Sequence, residues 1–115
     1  MRVVVTLDFG VCIPTDDLKK FEDAGFDIYD GIVHDGVCGG WYEDEKGKSR
    51  WYIYVNEGHR SLTYGYDVEV PVLRLSSVAG PEKTEEMALV LKDFCVKYEL
   101  TPLTTPDWMV VSRWT

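Results

Sequence analysis

The sequence predicts an α+β domain, built from a mostly antiparallel sheet in the order β-α-β-β-β-β-α-β with two helices packed on one face. Two segments have helical periodicity, one near each end of the chain. The segments between them alternate apolar and polar residues and are separated by Gly-containing turns. A chain of 115 residues buries between about 60% and 70% of its unfolded surface, which suffices for one core. We therefore expect a single domain over residues 1–115.

The N-terminal segment predicts one strand followed by one helix. Arg2 to Phe9 is mostly apolar and β-branched, as in a central strand. The helix is expected from about Thr15 to Ala24, where Thr15 can cap the first turn. Leu18 and Phe21 then lie on one face. Gly25 can adopt the left-handed conformation that ends many helices.

A meander of strands is expected next. Asp35-Gly36 is a hairpin signal, and it would pair residues 28–34 with 37–43. A second hairpin that turns near Lys46-Gly47 would pair 37–43 with 49–55. These two turns predict three consecutive antiparallel strands.

The C-terminal half predicts an edge strand, a long helix and a final strand. The edge strand is Asp67 to Leu75, because Pro71 cannot donate a ladder hydrogen bond. The helix spans about Glu82 to Glu99, and the last strand is Trp108 to Trp114. A ferredoxin-like core with an inserted hairpin is the closest common arrangement. The buried stripe of the long helix follows the spacing i, i+3, i+4, i+7, i+8, i+11 in Met87, Val90, Leu91, Phe94, Cys95 and Tyr98.

The negative charge of the chain is concentrated between Phe21 and Glu45. The chain has 20 acids and 12 Lys plus Arg, a net charge of −8, but this segment holds eight acids and no Lys or Arg. Such a balance disfavours direct nucleic-acid binding and docking on anionic lipid. A basic protein partner, a cation or no charged partner remain open. The eight acids are Glu22, Asp23, Asp27, Asp30, Asp35, Glu43, Asp44 and Glu45.

Part of this charge is expected to be neutralised locally. A tight hairpin would place Arg50 opposite Glu43. By contrast, Asp27, Asp30 and Asp35 have no evident local base. Alternate strand residues lie about 6.6–6.8 Å apart and phosphates of one DNA strand about 3.4 Å apart, so such a row of carboxylates could imitate a phosphate backbone. The alternative is a solvated face.

The second hairpin is rich in aromatic residues. Trp51 and Ile53 are expected to face the core, whereas Tyr52 and Tyr54 point outward, with Trp41 opposite Tyr52 across a two-residue turn. An exposed Trp-Tyr-Tyr patch has the composition of a protein-binding hot spot. Alternatively, a helix or a second subunit covers the patch, and in the latter case the protein is a homodimer.

The cysteine and hydropathy patterns favour a reduced, soluble, cytoplasmic protein. Cys12, Cys38 and Cys95 are odd in number and irregularly spaced, so no closed disulfide framework is expected, and Cys95 falls in the core stripe. The N-terminal apolar run is interrupted at once by Thr6 and Asp8, unlike a signal peptide. No apolar run is long enough to span a bilayer.

Catalytic and metal signals are weak. Cys38 follows His34 and Asp35, but adjacent strand residues point to opposite faces, so a Cys–His active site is not favoured. Zinc-type cysteine pairs and phosphate-binding Gly loops are missing from the sequence. His59-Arg60 falls in a polar turn, where either a loop role or a substrate contact is open. We therefore predict no catalytic residues, no metal and no cofactor.

Two function classes follow from the sequence. The first is a small acidic non-enzymatic binding protein, an inhibitor of the type made by phages and mobile elements, which would occupy a basic, nucleic-acid-binding surface of a partner protein. The alternative is a small dimeric α+β enzyme or ligand-binding domain with a pocket between sheet and helices. The partner-binding residues expected for the first class are Asp27, Asp30, Asp35, Trp41, Glu43, Asp44, Tyr52 and Tyr54.

Overall fold

A computed structural model describes residues 3–25, 35–61 and 81–114, which form five strands and two α-helices. The α+β class is confirmed, and every strand pairing among these residues is antiparallel. Two 3-10 turns, Thr15–Asp17 and Asn56–Gly58, interrupt the order. The elements are β1 (Val3–Ile13), α1 (Leu18–Asp23), β2 (Val37–Glu43), β3 (Ser49–Val55), β4 (Arg60–Ser61), α2 (Pro81–Lys97) and β5 (Asp107–Trp114).

Strand β1 is the centre of the sheet. It pairs with β5 along one edge over residues 3–10, and with β4 and β3 along the other edge. Strand β2 lies outside β3. β1 continues to Ile13, four residues beyond its predicted end at Phe9, because Gly10 is a point of close approach and does not end the strand. A Cβ at Gly10 would overlap the carbonyl oxygen of Ile53, so the strands meet closely only because glycine stands there.

The first helix is shorter than predicted and is not capped by Thr15. It begins with the 3-10 turn, which follows Pro14, and neither this turn nor α1 has a side-chain cap. Instead the buried carboxylate of Asp17 accepts hydrogen bonds from the backbone N–H and the hydroxyl of Thr101, at 2.7 and 3.1 Å. Gly25 has φ +88°, as expected for a helix-ending glycine.

The register of the β2–β3 hairpin is one residue from the prediction. Trp41 is opposite Trp51, and Glu43 is opposite Ser49 rather than Arg50. The cause is the loop, which has three residues where two were expected. The backbone N–H of Asp44 bonds the carbonyl of Lys48 at 2.9 Å, and φ of the intervening Gly47 is +74°, as in a type I turn followed by a left-handed glycine.

The turn before β2 has the conformation that the Asp-Gly pair predicts. Asp35 and Gly36 have φ of +53° and +79°, the two positive values that a type I′ hairpin turn needs. The segments predicted as strands at 28–34 and 67–75 lie outside the described residues. The ferredoxin-like arrangement therefore stays a prediction.

The two helices cover one face of the sheet, as predicted. Met87, Leu91, Phe94 and Cys95 of α2 are buried in one cluster with alternate residues of β1 and β3, and Val90 and Tyr98 pack against it. Phe21 of α1 joins this cluster with its ring centroid 6.2 Å from that of Phe94. Full burial of such side chains contributes about 1.5–3 kcal/mol each. The rest of the core cluster is Phe9, Val11, Ile13, Val37, Ile53, Val55 and Leu100.

Candidate functional site

The predicted acidic surface does not form one unpaired row in the described residues. Asp27 and Asp30 lie outside them. Asp35, which has no base near it in sequence, is paired with a distant one: its Oδ2 lies 2.8 Å from Nζ of Lys97 and accepts a hydrogen bond from the Tyr98 hydroxyl at 3.2 Å. The bond to Asp35 raises the pKa of Lys97 above its usual value. Asp35 therefore ties the turn before β2 to the C-terminal end of α2.

Asp44 is held by its own hairpin loop. Its Oδ1 accepts backbone N–H bonds from Lys46 and Lys48, both at 2.9 Å, and its Oδ2 lies 3.0 Å from Nε of Arg50. The bond from Lys48, more than any other contact, lowers the pKa of Asp44 below 3.8. Glu43 is exposed beside it. Asp44 thus organises the three-residue loop.

The aromatic patch is divided between the two faces of the sheet, contrary to the prediction. Side chains of directly opposed residues lie on the same face, and Trp51 packs against the helix-side core, so its partner Trp41 lies on that face as well. Tyr52, expected to be exposed, is only 1% exposed. Tyr54 lies on the same face of the sheet as Tyr52 and is half-buried. The one-residue change of register accounts for the separation of Trp41 from the tyrosines.

The face of the sheet opposite the helices contains a buried carboxylate that the sequence did not predict. Asp8 is 0% exposed. Its Oδ2 accepts hydrogen bonds from the hydroxyls of Thr6 and Tyr52, at 3.0 and 3.1 Å, and its Oδ1 lies 2.5 Å from Nδ1 of His59. A carboxylate without solvent needs such partners, since an unpaired buried charge is strongly destabilising.

Stacked rings extend from this cluster. The rings of His59 and Tyr54 stack with their centroids 5.3 Å apart, and Tyr54 lies 5.5 Å from Tyr52. Beyond Tyr52, the hydroxyl of Tyr42 contacts Sγ of Cys12 at 3.8 Å. Burial first, and then the contact with Cys12, raises the pKa of Tyr42 above 10.0.

The Asp8–His59 pair has the geometry of an oriented acid–base group, in which a carboxylate fixes one ring nitrogen and leaves the other for chemistry. No group of three His, Cys, Asp or Glu residues in the described part of the chain could hold a metal ion. Cys38 is buried and contacts the side-chain oxygen of Asn56 at 3.7 Å. The pair joins the turn after β3 to the central strand on this face of the sheet.

An open apolar groove lies on the helix side of the molecule. One wall is α2, the other is the connector that runs through 101–106 to β5, and Val11 of β1 reaches the floor. The groove has a volume of about 840 Å³. On its α2 wall, Leu89 and Val96 are 58% and 71% exposed. The lining residues are Val11, Glu85, Ala88, Leu89, Leu91, Lys92, Cys95, Val96, Glu99, Leu100, Pro102, Thr104 and Pro106.

Hydrogen bonds to β1 and to the 3-10 turn before α1 fix the connector wall. The backbone N–H of Leu103 donates to the carbonyl of Cys12 at 2.8 Å, and the N–H of Cys12 donates to Oγ1 of Thr104 at 3.0 Å. Thr101 is held by Asp17. Because both walls are anchored in the core, the groove is a formed feature of the fold.

The groove carries a charge pattern along α2 and the turn that follows it. Glu85 lies toward one end, Lys92 in the middle and Glu99 at the other end. None of these three side chains forms an ion pair with a described residue. Lys20 contacts the backbone oxygen of Glu99 but forms its ion pair with Asp17, at 3.0 Å. The groove thus presents negative, positive and negative charge around an apolar floor.

Comparison with known proteins gives no relative. No protein-family model, no curated protein and no solved structure matches this chain. Among the described residues, no helix has both the length and the apolar character needed to cross a membrane.

Proposed function

We propose that this protein is a small non-enzymatic binding protein whose groove receives an apolar segment of a basic partner protein. The observation that carries the proposal is the groove, in which Leu89 and Val96 remain exposed on α2 beside an apolar floor. Side chains 7 residues apart lie on one face of a helix. With the apolar lining of the groove they form a concave, mostly apolar surface of the kind typical of binding sites.

The charge of the chain favours a basic partner. The net charge is −8, and Glu85 and Glu99 meet no base among the described residues at the groove. Opposite charges raise the rate of association and select orientation. We extend the proposal to an inhibitory role against a nucleic-acid-binding protein, because such proteins present clustered Lys and Arg. We place the complex in the cytoplasm, where the three thiols stay reduced.

The test compares two valines that are equally exposed. Val96 lines the groove, whereas Val110, 68% exposed, lies on β5 outside it. The tagged protein is used to capture partners from a native lysate at two salt concentrations. The captured protein is identified by mass spectrometry, purified and titrated against Val96→Asp and Val110→Asp.

We expect Val96→Asp to weaken binding of the purified partner at least about ten-fold, as for an apolar hot-spot residue, and Val110→Asp to leave it unchanged. Higher salt is expected to weaken binding by the unmutated protein. Equal affinity of Val96→Asp and the unmutated protein would show that the groove is not the contact surface. Concentration-dependent dimerisation that Val96→Asp abolishes would instead identify a second copy as the occupant.

A small-molecule role is the second candidate. The groove volume of about 840 Å³ lies in the range of ligand pockets, about 300–1,000 Å³, and Val11 places its floor where helix α2 meets the sheet. A ligand-binding domain would take up an apolar probe such as dodecanoate with one-to-one stoichiometry, measured by calorimetry. Failure of dodecanoate to bind would remove this candidate.

A further inference from the structure

We infer that the segment that occupies the groove is an amphipathic α-helix of about four turns, with basic residues near both ends and an acidic residue near the middle. This inference deepens the proposed function and stands only if the groove is the contact surface. It follows from the chemistry of the groove walls, from their length and from the order of charges along the groove.

The walls favour a helix over an extended peptide. Most of the lining side chains are apolar, and two wall residues, Pro102 and Pro106, have no backbone N–H to donate. An extended peptide in such a groove would bury N–H and C=O groups without partners, at a cost comparable to lost hydrogen bonds. A helix satisfies these groups internally and can place one apolar face in the groove.

The length of the α2 wall sets the length of the occupant. From Glu85 to the end of α2 at Lys97 the backbone rises roughly 18 Å at about 1.5 Å per helical residue, and Glu99 follows in the turn after the helix. A partner helix lying along this wall therefore needs about 14 residues to reach both ends. Leu89 and Val96 are seven residues apart, or about two helical turns, which suits apolar residues of the partner that recur at intervals of three and four.

The order of charges predicts the charges of the partner. Glu85 and Glu99, at opposite ends, favour Lys or Arg at both ends of the occupant, and Lys92 favours Asp or Glu near its centre. Each such surface pair contributes modestly, but three pairs in one register together disfavour the reversed pattern, because like charges face each other there. The pattern is symmetric, so charge alone does not choose between parallel and antiparallel docking.

Three synthetic 18-residue peptides of matched apolar content test this inference with the intact protein. The first is helical, with Lys at both ends and Glu in the centre. The second has these charges reversed, and the third keeps the charges of the first but has two central prolines. Binding is measured by fluorescence anisotropy at low salt. We expect the first peptide to bind at least about ten-fold more tightly than the other two.

A pair of double variants tests the charges of the protein. Glu85→Gln/Glu99→Gln should weaken binding of the first peptide about 3- to 10-fold. Glu22→Gln/Glu45→Gln, which removes the same charge from exposed positions outside the groove lining, should change it less than two-fold. Equal effects of the two double variants would overturn the charge assignment. If the proline peptide binds as tightly as the first peptide, the occupant is not a helix. If dodecanoate binds and none of the peptides does, the occupant is a small amphiphile and not a peptide.

The two levels of inference fail separately. If no peptide binds but the purified partner still requires Val96, the helix is wrong and the proposed function stands. If partner binding is indifferent to Val96→Asp, the proposed function is wrong. Circular dichroism of each variant controls for its folding.

Discussion

Nδ1 of His59 lies 2.5 Å from Oδ1 of Asp8, and the Asp8 carboxylate has no exposed surface. The two residues come from the central strand and from the turn between β3 and β4, and Tyr52 of β3 completes the set with a hydrogen bond to Oδ2 of Asp8. Three segments of the sheet thus meet at one buried carboxylate. A buried polar group that is satisfied in this way fixes the arrangement of its neighbours, because any displacement leaves it unpaired.

The first prediction concerns the stability of this carboxylate cluster. Asp8→Asn keeps the shape of the side chain but replaces one carboxylate oxygen by an amide N–H₂, which cannot accept the hydrogen bonds that the neighbouring side chains donate to Asp8. We therefore expect a loss of about 1–3 kcal/mol in the free energy of unfolding. His59→Ala should cost about 3 kcal/mol, because it leaves a buried carboxylate short of one partner. Urea unfolding followed by circular dichroism measures both. Asp16→Asn, at an exposed position, is the control and should be neutral.

A second prediction tests the close approach of β1 and β3. Gly10→Ala would drive a methyl group against the carbonyl oxygen of Ile53, and the backbone on both sides is held by ladder bonds. We expect a loss of about 1–3 kcal/mol in the free energy of unfolding, as for an overpacked core. Gly25→Ala would be unfavourable for a different reason. A Cβ there meets no neighbouring atom, and only the backbone φ of +88° disfavours alanine. Equal stability of Gly10→Ala and the unmutated protein in urea would show that the strands do not meet as described.

The elements that the sequence predicted well are those with local causes. The α2 stripe from Met87 to Tyr98 needs only a period of 3.6 residues, and the structure buries it as expected. The positive φ values at Asp35 and Gly36 follow from the Asp-Gly pair itself. The two strands of the β2–β3 hairpin were predicted correctly, but their register was not. The reason is that a loop of three residues carries almost the same turn signals as a loop of two.

The sites were less predictable because they join residues that are distant in the chain. Asp8 and His59 are 51 positions apart, and nothing near either residue identifies the other. The available signal was the alternation of Thr6 and Asp8 in an otherwise apolar central strand, which places two polar side chains on one buried face. The groove depends on the connector docking beside β1, through bonds such as that between Cys12 and Thr104. No periodic pattern predicts such a contact.

A third prediction follows from the lowered pKa of Asp44. Its hydrogen bond from Lys48 lowers the pKa below 3.8 in the folded hairpin, so the folded state binds this proton less readily than the unfolded state. The stabilisation is therefore present above pH 3.8 and is lost as the pH falls through the folded pKa. Asp44→Asn should have a lower urea midpoint at about pH 6 and a flatter decline toward about pH 2.5. Glu43→Gln, at the exposed neighbouring position, should follow the unmutated protein throughout.

The last prediction uses Cys95, on the α2 wall, as a reporter of the groove. Burial raises the pKa of Cys95 above 9.0, which leaves little reactive thiolate at pH 8. Cys12 is partly exposed, so we expect iodoacetamide to modify it at least about ten-fold faster than Cys95 in the native protein, as measured by mass spectrometry of peptides. Urea should bring the two rates together. Addition of the helical peptide with basic ends should slow the modification of Cys95 further and leave the rate at Cys12 unchanged. Equal rates for the two thiols in the native protein would mean that the groove beside Cys95 is open to solvent.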